Sequence, residues 1–65
     1  MSAQPVSPGP KVIVGMPAYN EEAHIGSVVL QARQHADEVL VVDDGSADRT
    51  SKVAELAGAT VTVTV

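Results

Sequence analysis

The chain has 65 residues, a formal net charge of −4 and no cysteine, which limits it to one domain and excludes a disulfide framework or a thiolate metal centre. At this length only about 60% of the unfolded surface is buried on folding, so shared apolar surface in a homo-oligomer is an expected source of stability. Four dispersed Lys and Arg residues exclude a nucleic-acid surface, and the lack of a membrane-length apolar run or a signal-like start leads us to expect no membrane segment and a cytoplasmic location.

Residues 1–10, MSAQPVSPGP, are rich in Pro and Gly and poor in apolar bulk, which predicts a flexible leader. Residues 11–16, KVIVGM, follow as an apolar strand that Pro17 is expected to end, since proline has no N–H for the ladder. From Glu21 to His35 the apolar positions Ile25, Val28, Val29 and Ala32 recur at helical spacing, with Glu21 and Glu22 in the first turn where the helix dipole favours them. His24 and His35 lie about 16 Å apart along such a helix and cannot share a metal ion.

A second apolar strand, Val39 to Val42, lacks polar alternation and so predicts a strand covered by helices on both faces. It ends in Asp43 and Asp44. Gly45 then permits a sharp turn, Ser46 is placed to cap a second helix over 46–57, and Gly58 to end it. From Thr60 to Val65 strict alternation of Thr and Val predicts a half-exposed third strand.

The order is βαβαβ, a Rossmann-like α/β pattern with a parallel sheet in the order 3-2-1. In such sheets ligands bind beyond the carboxyl ends of the strands. Two segments meet there, Pro17-Ala18-Tyr19-Asn20-Glu21-Glu22 and Asp43-Asp44-Gly45-Ser46. The carboxylates either accept hydrogen bonds from a ligand's hydroxyl and N–H groups or fix the turn through their own backbone. Tyr19, the one aromatic residue, either packs on the core edge or lies against a base.

The pairing of VIVGMPAYNEE with EVLVVDDGSADRT, some twenty residues apart, closely resembles the N-terminal part of the inverting, family 2 type glycosyltransferases with the GT-A fold, dolichyl-phosphate mannosyl- and glucosyltransferase-like members in particular. The resemblance covers about Val12 to Ala59 and implies that 11–65 is a truncated nucleotide-sugar-binding subdomain, a three-layer half of a GT-A domain. Carried over by position, it implies nucleotide contacts from Pro17, Tyr19, Glu21, Val41 and Asp43, with Asp44 as a turn-forming neighbour. It implies a parent that moves a sugar from a nucleotide-sugar to a lipid-phosphate or other acceptor by single displacement, with a divalent metal (Mg or Mn) and a catalytic base carried beyond the third strand. The chain itself is then expected to have no catalytic residue and no cofactor, to bind a nucleoside diphosphate weakly or not at all, and to be inactive.

Three rival readings are weaker or different in class. A dinucleotide-binding half needs a Gly-x-Gly-x-x-Gly turn where this chain has MPAYNEE. A receiver domain needs a phosphoacceptor Asp and a Lys on later strands. The non-enzymatic alternative is a structural or assembly fragment with an α/β fold.

Overall fold

The computed structural model describes residues 3–6, 9 and 11–64. Its elements are β1 (Gln4–Pro5), β2 (Ile13–Ala18), α1 (Glu22–Arg33), β3 (Glu38–Asp43), α2 (Thr50–Leu56) and β4 (Thr60–Val63). β2, β3 and β4 pair in parallel, Met16 opposite Val41 and Val41 opposite Val61. β1 adds antiparallel to the outside of β2 and completes a mixed four-stranded sheet in the order β1-β2-β3-β4.

This corrects the expectation of a sheet made of three parallel strands alone. Residues 4 and 5 of the expected leader pair with Gly15 and Val14, and Val6 N donates to Ile13 O at 2.8 Å. The Pro-rich composition is compatible with this position because β1 is an edge. With Val6 in a hydrogen-bonded pair, antiparallel alternation turns the Pro5 nitrogen outward, where no donor is needed. The outer edge of β2 is therefore covered along part of its length.

β2 also continues past the residue expected to stop it. Val12 O accepts from Glu38 N and Ala18 O accepts from Asp44 N, so the even-numbered residues of β2 bond toward β3 and the odd-numbered ones toward β1. Pro17 falls in the second set, beyond the short reach of β1, and its missing N–H breaks no bond to β3.

α1 and α2 pack on each other and both touch β3, so both lie on one face of the sheet. The core is Met16, Ala18, Ile25, Val29, Val39, Val41 and Ala54. The opposite face carries Ile13, Leu40 and Val42, only half-buried, and the exposed Thr60 and Thr62. The described residues thus form two layers where three were expected. Successive crossovers of one hand, stepping from β2 to β3 to β4 in one direction, must place their helices on the same side. The unbroken apolar run of β3 conceals an alternation: Val39, Val41 and Asp43 are buried, and Leu40 and Val42 less so. In β4 Val61 packs against the core while Val63 is exposed; Val65, the expected end of this strand, lies outside the described residues.

α1 agrees with its expected span to within its frayed ends. α2 does not, beginning at Thr50 rather than Ser46. Ser46 is drawn back to Asp43, donating from both its N (3.0 Å) and its Oγ to Asp43 Oδ1, and residues 46–49 form a loop instead of a first helical turn.

Candidate functional site

β2 and β3 end side by side, with Ala18 opposite Asp43, and the loops that follow are tied together by side chains. Asn20 has φ of 50°, a left-handed conformation that Asn tolerates better than most residues. Its N donates to Ser46 Oγ (2.8 Å) and its Oδ1 accepts from Ala47 N (2.8 Å). One residue on, Glu21 N donates to Thr50 Oγ1 at 2.8 Å, and Glu22 N to Asp48 Oδ2 at 3.2 Å. In return, Glu22 Oε1 accepts from Arg49 N at 3.2 Å.

Two relays of the same form result. Ser46 Oγ donates to Asp43 and accepts from Asn20 N; Thr50 Oγ1 donates to Asp48 and accepts from Glu21 N. At the start of α1, Glu21 N is satisfied by Thr50, the first residue of α2, and Glu22 N by Asp48 of the loop before it. With these two N–H groups occupied and carboxylates around them, the start of α1 is not arranged to cradle a phosphate.

Asp43 is 3% exposed. Its Oδ1 accepts from Ser46 N and Oγ, and its Oδ2 from Ser51 Oγ. Burial acts to raise its pKa, but the Ser46 and Ser51 hydroxyls and the Ser46 N–H outweigh it and hold the carboxyl below its ordinary 3.8. The Thr50 hydroxyl likewise holds Asp48 below 3.8, helped by the N–H groups of Thr50 and Glu22 against opposing burial and the charge of Asp43.

Asp44, by contrast, is exposed. With Pro17, Ala18, Tyr19 and Glu21 it lines an open cleft of about 220 Å³, smaller than the roughly 300–1,000 Å³ of sites that enclose a whole drug-sized ligand. Tyr19, between the buried Ala18 and the left-handed Asn20, is 58% exposed and does not pack into the core edge. The cleft therefore offers an aromatic face, a carboxylate acceptor and a proline wall, and it has room for part of a ligand.

Of the expected site residues, the structure brings Pro17, Tyr19, Glu21 and Asp44 together around the cleft and buries the side chains of the other two, Val41 and Asp43. The Val41 side chain is wholly buried in the core. Asp43 lies beneath the helices and Asp44 on the open side, because alternation along β3 sends Asp43 to the same face as Val39 and Val41 and the next residue to the other. Asn20, Ser46, Asp48 and Thr50 hold the loops; the sequence marks Ser46 only as a helix cap and Asn20 only as part of its motif, and assigns nothing to Asp48 or Thr50. The Asp48-x-Thr50 spacing was the available signal, since an Asp readily accepts from the backbone two residues on.

Among the described residues no group of three His, Asp or Glu side chains is placed to hold a metal ion. Both Asp43 oxygens accept hydrogen bonds from serines. No helix is long and apolar enough to cross a membrane among the described residues.

The unit is a mixed open α/β sheet with two interlocked loops over the carboxyl ends of its parallel strands, the place where ligands bind in sheets of this class. Residues 13–62 match the model of glycosyl transferase family 2, and the chain belongs to that family. It is 44% identical to the human dolichyl-phosphate beta-glucosyltransferase over 59 residues, covering 74% of this chain and 18% of that protein. The mouse dolichyl-phosphate beta-glucosyltransferase matches to the same extent. An uncharacterized protein of Methanocaldococcus jannaschii is 39% identical over 49 residues, covering 74% of this chain and 20% of that protein. The chain thus spans about a fifth of the length of these relatives. No solved structure matches it.

Proposed function

We propose that the chain is the donor-nucleotide-binding portion of an inverting glycosyltransferase of GT-A type, and that its cleft takes the nucleoside end of a nucleotide-sugar destined for a lipid-phosphate or other acceptor. The observation that carries this is the convergence of Tyr19, Pro17, Glu21 and Asp44 at the carboxyl ends of β2 and β3. Tyr19 supplies a face for the base, and Asp44 accepts from a base N–H or a ribose hydroxyl. The surrounding acids and the net charge of −4 repel phosphate, so the diphosphate points away from these residues and depends on groups they do not include. The chain alone transfers no sugar.

A contact of this kind, from one stacked ring and one or two hydrogen bonds, sums to about 4 kcal/mol and so corresponds to millimolar binding. Titration with uridine and guanosine diphosphates, followed by amide chemical shifts, is expected to give saturable millimolar changes centred on Tyr19, Glu21 and Asp44. An absence of saturable shifts there, or shifts confined to the outer faces of the helices, would reject the reading in favour of an assembly fragment.

The proposal includes a second copy of this chain, paired through β4, whose outer edge has no strand beside it among the described residues. Sedimentation equilibrium is expected to show mass rising with concentration. A monomer throughout the accessible range removes this part alone.

A further inference from the structure

We propose that Thr64 is a positioning residue of the cleft: its hydroxyl holds the Asp44 carboxylate so that one oxygen is left to accept from a ligand. This rests on the reading that the cleft takes a nucleoside. Thr64 lies outside the residues 13–62 that the family model matches.

An exposed aspartate at a strand end ordinarily samples several rotamers, and each one frozen on binding costs affinity. Asp44 is held before any ligand arrives. Its N donates to Ala18 O at 2.9 Å, which fixes its backbone to β2. Its Oδ1 accepts from Thr64 Oγ1 at 2.9 Å. Thr64 is itself anchored, because its N donates to Asp43 O at 2.8 Å. The second acceptor near its hydroxyl, Asp43 O, is more distant at 3.4 Å, so the charged oxygen of Asp44 is the stronger partner.

The chain register brings this about. Asp43 pairs with Val63, so the residues just beyond, Asp44 and Thr64, leave their strands side by side and on the same face. The alternating Thr and Val of the last strand thus serves two ends: Val61 faces the core, and the threonine series ends against Asp44. Gly45 makes the approach possible. It has φ of 71°, and a Cβ there would stand 3.3 Å from Thr64 O, tighter than ordinary contact.

With Oδ1 occupied, Asp44 offers one free oxygen. That suits a single N–H or O–H donor and disfavours a bidentate guanidinium.

The test compares Thr64→Val, which keeps the shape and removes the hydroxyl, with Thr64→Ser, which keeps the hydroxyl. Two quantities are read: the three-bond couplings that report Asp44 χ1 in the ligand-free chain, and the uridine diphosphate dissociation constant. In the wild type and Thr64→Ser, one Asp44 rotamer and matching affinities are expected. In Thr64→Val the couplings are expected to average and the affinity to fall roughly two- to tenfold, with an unchanged urea midpoint. Unaltered couplings or unaltered affinity in Thr64→Val overturn the inference while leaving the nucleotide reading in place, and equal losses in both variants overturn it by making packing the cause. Failure of the wild type to bind refutes the nucleotide reading itself, and with it any role for Thr64 in binding.

Discussion

Asp43→Ala is expected to remove about 3 kcal/mol or more of folding stability, roughly a third to the whole of what a chain of this size has. The substitution strands Ser46 N, Ser46 Oγ and Ser51 Oγ, which all donate to this one carboxylate. Hydrogen bonds to a charged group contribute about 1.5–3 kcal/mol each, and their losses are not additive, so a total near 3 kcal/mol is a conservative figure. The stability of a domain this size is about 3–10 kcal/mol. Urea denaturation followed by circular dichroism is expected to show a collapsed midpoint, whereas Asp44→Ala, at an exposed position, is expected to leave it nearly unmoved.

The same carboxylate sets an acid limit. A group whose folded pKa is depressed contributes stability above its unfolded pKa, and that stability is lost as pH falls through the folded value. Asp43 and Asp48 both lie below 3.8 in the fold. The urea midpoint should therefore be level from neutrality to about pH 4 and fall below it. Asp43→Asn, destabilised at neutral pH, should show a shallower acid limb; an acid limb as steep as that of the wild type would show that Asp43 is not its source.

The second large effect is expected at Thr50. This side chain is wholly buried and sits at the centre of the second relay, accepting from Glu21 N and donating to Asp48. Thr50→Val preserves shape and removes both bonds. The Glu21 N–H is then left without its acceptor at the start of α1, at a cost of about 1–3 kcal/mol, and Asp48 loses the hydroxyl that most depresses its pKa. Because Glu21 and Tyr19 lie on the loop this bond holds, loss of stability should be accompanied by broadened amide resonances over residues 19–22. A Thr50→Val protein with the wild-type midpoint and sharp resonances in that loop would show that the relay does not hold the site.

Much of the fold was legible because it rests on local pattern. The helical spacing of Ile25, Val29 and Ala32, the apolar strands and the Thr-Val alternation each have a direct structural counterpart. What the pattern could not carry was direction. The run Val39 to Val42 is apolar on both faces, so it gave no sign that only one face lies under helices, and hence no sign that Asp43 would follow Val41 inward while Asp44 turned out. Ser46 is a good helix cap by composition, and its capture by Asp43 is a tertiary preference that overrides the local one. β1 was illegible because two residues of a Pro-rich segment have no strand pattern; only the unfilled edge of β2 and the space above Gly15, where Val6 lies, give them a place. Of the site, the neighbourhood was legible from the order of strands and the two motifs. Which residues face the cleft depended on the pleat, and several motif residues, Asn20, Asp43, Ser46 and Thr50 among them, fasten the loops to each other.

That division is the central claim, and the uridine diphosphate affinity of Asp44→Ala tests it most directly. With the wild-type fold shown by an unchanged urea midpoint, the account predicts that the saturable shifts at Tyr19 and Glu21 disappear or require at least about tenfold more ligand, the loss of one charge-assisted hydrogen bond. Wild-type affinity in a folded Asp44→Ala chain would contradict it.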